Sequence, residues 1–117
     1  VEPGVVELHL PFQEALTQQH GFLHAGAITS VLDSACGYAA LTLMPLGAAV
    51  LTVEFKTNLL RPAAGARFIA RAEVKKPGRT LMICTADAIA VDGEGHTKTV
   101  AMMVATLMVV EGRGLSD

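Results

Sequence analysis

The longest apolar stretch of the chain, from Ala25 to Leu43, has the spacing of a helix. Ile28 and Leu32 begin a series of apolar residues that recur at steps of three and four. The other faces are apolar too, so we expect this helix to be buried almost all round. We also expect small side chains to let a sheet approach it closely, and these are Ala35, Gly37, Ala39 and Ala40.

Most of the remaining chain predicts strands separated by turns. The segment 51–59 alternates, and its periodicity places Leu51, Val53, Phe55 and Leu59 on one face. The other predicted strands are Val5–Leu10, Phe68–Val74, Leu81–Val91 and Thr99–Val110. The last is apolar on both faces, as is typical of a central strand. This order predicts an α+β fold in which a curled antiparallel sheet of about five strands wraps around one long central helix.

The length of 117 residues favours a single domain over residues 1–117. We read residues 12–23 as a loop or short helical turn over the start of the helix, and residues 112–117 as a flexible tail. Because 51% of the residues are hydrophobic, a monomer would expose apolar surface, which predicts an oligomer.

Charge and cysteine content exclude several classes of function. A net charge of -2 argues against a nucleic-acid partner. Asp33, Pro45 and Gly47 interrupt the apolar region, so we expect no membrane insertion. Cys36 and Cys84 predict buried reduced thiols in a cytoplasmic protein without a signal peptide; a disulfide or a metal site is the alternative. The spacing of His, Asp and Glu suggests no metal site.

The start of the helix is the first candidate site. The first backbone N–H groups of a helix have no partners within it and carry partial positive charge. Near His24, Ala25 and Gly26 they could stabilise the oxyanion that forms when a carbonyl is attacked. The alternative is structural: Gly21 and Gly26 only permit a tight turn into the helix.

Asp33 is the second candidate, because it is the only formally charged residue between His24 and Glu54. It lies too deep in the helix to cap it, and burying a lone carboxylate is costly. It could serve as a general base or nucleophile in a cleft. Alternatively, it pairs with a basic side chain or caps a neighbouring loop. Gln18 and His24 could converge with it, and Thr52 could hold a water.

Basic residues at two turns form the third candidate: Arg61 in one, and Lys75, Lys76 and Arg79 in the other. They could bind phosphates, or they could be ordinary solvated surface charges. The sequence contains neither a phosphate-binding loop of the GxxxxGK[ST] type nor a GxSxG nucleophile motif.

From Gln18 to Val110 the chain resembles the hotdog-fold thioesterases of the phenylacetate-pathway (PaaI-like) type. The motifs that carry the resemblance are Gln18–Gly26 followed by Asp33, Thr52–Phe55, Leu60–Ala63 and Gly78–Leu81. The resemblance implies hydrolysis of an acyl-CoA thioester to a free acid and coenzyme A, without a cofactor. It further implies a homodimer as the functional unit and, because such dimers commonly pair, a homotetramer.

The resemblance also implies roles for individual residues. Asp33 would be the nucleophile or the base, and the N–H of Ala25 would polarise the carbonyl. Gln18 would hold the thioester or the water, His24 would order the turn, and Thr52 of the partner subunit would orient the water. The implied CoA-binding residues are Gly26, Leu60, Arg61, Pro62, Lys76, Gly78, Arg79 and Thr80.

One departure and two alternatives remain. Ala25 stands where the family usually has the first glycine of His-Gly-Gly, which narrows the approach but retains the amide. A non-catalytic acyl-CoA or acyl-carrier-protein binding module would share the fold, whereas the motif of a hotdog dehydratase is not found. The acyl group is not readable from the sequence; its candidate walls are Phe22, Tyr38, Leu41 and Met44. Ala25 and Asp33 lie about 12 Å apart along the helix. This distance predicts that Ala25 of one subunit faces Asp33 of a second subunit.

Overall fold

The computed structural model describes residues 2–11 and 25–111. It confirms the predicted order of one strand, one helix and four strands. The elements are β1 (Val5–Pro11), α1 (Ala25–Leu41), β2 (Ala49–Leu59), β3 (Arg67–Lys76), β4 (Leu81–Val91) and β5 (Thr97–Val110).

The helix ends two residues earlier than predicted because its last turn is capped by a side chain. The hydroxyl of Thr42 donates to the carbonyl of Ala39 (2.7 Å) and accepts from the N–H of Gly4 (2.7 Å). The N–H of Leu43 then bonds three residues back, to Ala40. This tightening stops the helix at Leu41 and ties its end to the start of β1.

The five strands form one antiparallel sheet in the order β1-β3-β4-β5-β2. The helix α1 therefore connects the two edge strands, and it lies across one face of the sheet, in contact with all five strands. Small residues meet it there: Ala70 pairs with Ala88, and Ala72 with Ala86, and all four are buried. These alanines allow the close approach of helix and sheet that the sequence predicts.

The prediction that α1 is buried on nearly all sides is wrong for the single chain. Its buried face comprises Ile28, Leu32, Ala35, Cys36, Ala39 and Ala40. On the opposite face Ser30 and Ser34 are exposed, and Tyr38 is 56% exposed. Gly37 was expected to face the sheet, but it lies on the side of the helix and is partly exposed.

The prediction that β2 keeps four apolar residues on one face is also wrong, because a β-bulge interrupts its pairing with β5 between Thr52 and Glu54. Before the bulge, Leu51 lies opposite Met108, on the face away from the helix. After it, Phe55 lies opposite Ala105, which is buried on the helix side. One extra residue thus moves the side chains that follow to the other face.

The outer face of the sheet, away from α1, is divided into two halves. The half formed by β1 and β3 carries ion pairs among Glu7, Arg71, Glu73 and Lys75. The half formed by β4, β5 and the start of β2 carries large apolar side chains that are exposed or, at Met108, partly exposed. We call them the outer apolar patch: Leu51, Leu81, Met102, Val104 and Met108. β5 is an interior strand as predicted, but its outer face is exposed in the single chain.

Both cysteines are free and buried in the core between helix and sheet, where the Cys84 thiol donates to the carbonyl of Cys36 (3.8 Å). Burial raises the pKa of Cys36 from 9.0 to about 12, with smaller contributions from Cys84 and Asp33. Burial likewise raises the pKa of Cys84 to about 11. The two side chains therefore behave as neutral apolar groups, not as nucleophiles.

These raised pKa values predict a loss of stability in alkaline solution. A folded pKa above the unfolded value favours the folded state below the unfolded pKa of about 9, and this contribution is lost as the pH rises towards 12. The urea midpoint should therefore fall between pH 9 and 11. It should fall less steeply in the double variant Cys36→Ala/Cys84→Ala. An equal slope in both proteins would contradict the assignment.

Candidate active site

The lone carboxylate of α1 lies at the rim of the helix, beside edge strand β2. The hydroxyl of Thr52 donates a hydrogen bond of 2.8 Å to Oδ1 of Asp33, and both residues are partly buried. The bulge that follows Thr52 is the point after which the side chains of β2 change faces. Thr52 thus contacts Asp33 of its own chain, and the role of the partner's Thr52 in orienting the water stays a prediction.

A cavity of about 280 Å³ opens next to this pair. Its described lining residues are Asp33, Ser34, Gly37, Tyr38, Leu41, Val50 and Thr52. Asp33 is the only charged group among them, so the carboxylate borders a mostly apolar cleft. A carboxylate held in one orientation there can accept a proton from water or attack a carbonyl carbon.

A second cavity, of about 230 Å³, lies at the start of α1. It is lined by Ala25, Ile28 and the segment 59–63, which follows directly from β2. The N–H groups of Leu60 and Arg61 both donate to the carbonyl of Val100, and Nη1 of Arg61 donates to the carbonyl of Thr99 (2.9 Å). These bonds hold Arg61 beside the positive end of the helix, a suitable place for an anion.

The two cavities are distinct within one chain. Eight residues of helix separate Ala25 from Asp33, which is about 12 Å along the axis. A carbonyl polarised at the first cannot be attacked by the second, since reacting atoms must come within about 3–3.5 Å.

The predicted CoA-binding residues also fall into two groups. Gly26, Leu60, Arg61 and Pro62 lie at the start of α1. Lys76, Gly78, Arg79 and Thr80 lie in the β3–β4 connection, where a cavity of about 480 Å³ borders Gly78, Arg79, Leu43 and Pro45, beyond the other end of the helix. The expectation that the two turns serve one site together is therefore not met within a single chain.

Gly78 has a structural reason to be glycine. A Cβ at this position would collide with the carbonyl oxygen of Leu81. The tight β3–β4 connection therefore requires it, whatever binds there.

Of the remaining candidates, Gln18, Phe22 and His24 lie outside the described residues. Tyr38 and Leu41 line the cleft as expected, whereas Met44 packs against the core. Ser34 and Val50 also line the cleft and were not among the predicted residues. Their signal is geometric: Ser34 lies one helical turn before Tyr38, and Val50 lies two residues before Thr52 on the same side of β2.

Two surface carboxylates have lowered pKa values with structural causes. The side chain of Lys75 lowers the pKa of Glu73, and the N–H of His96 is the main cause of the lowered pKa of Asp92 in the β4–β5 turn. Both carboxylates are on the surface. Within the described ranges, no cluster of His, Cys, Asp or Glu could hold a metal ion, and no helix is long and apolar enough to cross a membrane.

Comparison with known proteins gives consistent results. The sequence profile of the thioesterase superfamily matches residues 20–95. A protein of Saccharolobus solfataricus, provisionally named an esterase, is 31% identical over 100 residues, which are 86% of this chain and 71% of that protein. The crystal structure of a thioesterase family protein from Silicibacter pomeroyi is 61% identical, with a TM-score of 0.93 over 96% of this chain and 82% of that one.

More distant structures share the fold. The PaaI protein of the phenylacetic acid degradation operon of E. coli is 21% identical, with a TM-score of 0.81 over 95% of this chain and 76% of that one. A Bacillus halodurans protein solved with CoA is 23% identical, with a TM-score of 0.80 over 89% of this chain and 66% of that one. From the profile match, the sequence relatives and the sheet wrapped on its helix, the chain belongs to the thioesterase superfamily and has the hotdog fold of the PaaI-like proteins.

Proposed function

We propose that this protein hydrolyses acyl-CoA thioesters, with Asp33 as the catalytic carboxylate. The observation that carries the proposal is the orientation of Asp33 by Thr52 at the mouth of an apolar cleft. Membership of the thioesterase superfamily supports thioester hydrolysis. CoA bound to the Bacillus halodurans protein of the same fold supports CoA as the thiol half of the substrate.

The chemistry assigns one task to each group. The N–H of Ala25 donates to the thioester oxygen and stabilises the negative charge that develops there. Asp33 either takes a proton from an attacking water or attacks the carbonyl carbon itself. In the first route the C–S bond breaks, the hydroxyl stays on the acyl carbon, and the sulfur of CoA leaves with the proton that Asp33 took up. In the second route the sulfur leaves with a proton from solvent, and water then hydrolyses the anhydride between the acyl group and Asp33 to the free acid. Gln18 and His24 complete the proposal by holding the thioester and ordering the turn.

A second copy of the chain completes the site. Strand β2 is an edge strand of 11 residues, and Phe55 and Leu59 on its helix side are 47% and 57% exposed. The hydroxyl of Thr57, between them, is buried without a hydrogen-bond partner in the described part of the chain. Antiparallel pairing of β2 with β2 of a second copy would cover these apolar side chains and give hydrogen-bond partners to the backbone N–H and C=O groups of the edge strand.

The register of this pairing follows from the two half-sites. A two-fold axis near Lys56 places Thr52 opposite the partner's Leu60. Since Thr52 bonds Asp33 and Leu60 borders the cavity of Ala25, this axis joins the carboxylate of one subunit to the helix start of the other. Two equivalent sites result.

The same axis places the turn with Arg61 of one subunit near the β3–β4 connection of the other. Antiparallel pairing brings the β3–β4 connection of one subunit to the same end of the joint sheet as Arg61 of the other. From β2, three strand spacings across the partner's sheet reach its strand β4, which is about 14 Å. Arg61, Lys76 and Arg79 can then contact phosphates at different points along one CoA molecule.

We further propose that two dimers pair through the outer apolar patch to give a tetramer. Two-fold pairing of β2 puts two copies of the patch on the same face of the joint sheet, with Glu54, Lys56 and Asn58 of each β2 between them. Exposed apolar patches rimmed by polar residues mark interaction sites. As part of the same proposal, the chain is a single domain that works in the cytoplasm.

Substitution of the carboxylate tests the chemistry. In Asp33→Asn, the amide oxygen can still accept the hydrogen bond from Thr52, so the fold should be retained. We expect kcat/KM for CoA release to fall by about 10²-fold or more, because a neutral amide can neither accept the proton nor attack. A thiol-reactive dye measures the CoA released.

The matched control is Asp87→Asn, an exposed carboxylate on the outer face of β4, which should keep full activity. Unchanged turnover in Asp33→Asn would refute the mechanism. If the wild-type protein binds acyl-CoA and releases none, the chain is a non-catalytic binding module.

Two lysine substitutions separate the two interfaces. Phe55→Lys puts a charge on the apolar helix side of β2, where pairing would bury it without a counter-charge, so we expect monomers by light scattering and loss of activity. Val104→Lys charges the outer apolar patch instead, so we expect active dimers. Full activity of a monomeric Phe55→Lys protein would contradict the shared site.

A further inference from the structure

Gly37 lies on α1 one turn after Asp33, on the side of the helix that forms the floor of the cleft. Glycine in the interior of a helix is destabilising relative to alanine. A glycine there therefore needs a reason.

Packing does not supply the reason. A Cβ built on Gly37 meets Cγ1 of Val50 at 3.9 Å, an ordinary van der Waals distance, and no other described atom outside the helix backbone within 4 Å. The backbone conformation supplies no reason either, because Gly37 lies in a regular helix, and among the described residues the glycines with positive φ are Gly4, Gly47 and Gly95.

The remaining explanation for a glycine at position 37 is the open space that it leaves in the cleft. The cleft passes from Asp33 over Gly37 to Tyr38 and Leu41. Any side chain on Gly37 would project into it. Beyond the carboxylate, the described lining residues are apolar or uncharged, so none of them is a cation that could balance a charge on a ligand.

We propose that the acyl group of the substrate lies over Gly37, that this glycine sets the largest acyl group the enzyme accepts, and that the accepted groups are apolar and uncharged. This inference rests on the proposed thioesterase function. Gly37 contacts the substrate without entering the chemistry, so its substitution changes the relative rates for substrates of different size.

The test compares acetyl-, hexanoyl-, benzoyl- and succinyl-CoA as substrates of the wild type, Gly37→Ala and Gly37→Leu. We expect the ratio of kcat/KM for benzoyl-CoA to that for acetyl-CoA to fall about 10-fold in Gly37→Leu, with Gly37→Ala in between. Succinyl-CoA should be at least about 10-fold poorer than hexanoyl-CoA in the wild type, because its carboxylate would have no counter-charge.

Thermal unfolding separates blocking of the cleft from damage to the fold. Alanine and leucine both favour a helix more than glycine does, so the melting temperature should rise by about 4 °C in Gly37→Ala. The matched control is Gly93→Ala in the β4–β5 turn, where an added Cβ meets nothing within 4 Å. It should leave the ratio of rates unchanged.

Two results would overturn the inference. One is an unchanged ratio in Gly37→Leu, as equal losses for all four substrates would give. The other is loss of the dimer, which would assign the space above Gly37 to a subunit contact. A wild-type protein that hydrolyses succinyl-CoA as well as hexanoyl-CoA would refute the stated substrate class. Absence of CoA release from every thioester by the wild type would instead refute the proposed function.

Discussion

The close packing of one helix on an alanine-lined sheet is the constraint on which the rest of the structure depends. Ala35 and Ala39 of α1 and Ala72 and Ala86 of the sheet are all buried at this contact. Side chains this small leave no space for a polar group between the two layers. Asp33 is therefore confined to the rim of the helix, where the hydroxyl of Thr52 meets it.

That placement ties the chemistry to the edge of the sheet. The side of α1 that carries Asp33 lies beside β2, which is one of the two edge strands of the described sheet. Both half-sites adjoin this strand, the carboxylate at Thr52 and the helix start at the segment 59–63. On the proposed account, one pairing of β2 with its copy covers the exposed Phe55 and completes the active site, so stability and activity have the same origin.

Much of the fold could be predicted from the sequence because its signals are local. The bounds of β4, residues 81–91, were predicted without error, because proline and glycine mark the turns and the residues between them alternate. The bulge after Thr52 could not be predicted in this way, since it depends on pairing with β5 and leaves an apolar alternation that looks regular. For the same reason, the division of β2 between the two faces was predicted wrongly.

The candidate site was predicted unevenly. Asp33 was identifiable because a lone charge in an apolar helix has few structural explanations. The contact of Thr52 with the carboxylate of its own chain depends on tertiary packing, and so does the distance between the basic turns. Gly37 was read as a contact with the sheet, because spacing alone does not say which side of a helix faces solvent.

Complementation between two inactive variants tests the shared site most directly. Ala25→Pro removes the N–H proposed to bind the oxyanion, and proline is tolerated in the first turn of a helix. Asp33→Asn removes the carboxylate. Each homodimer should be inactive, whereas co-expressed chains should recover about a quarter of wild-type activity, because half of the dimers are mixed and each has one intact site. No recovery in isolated mixed dimers would contradict the account.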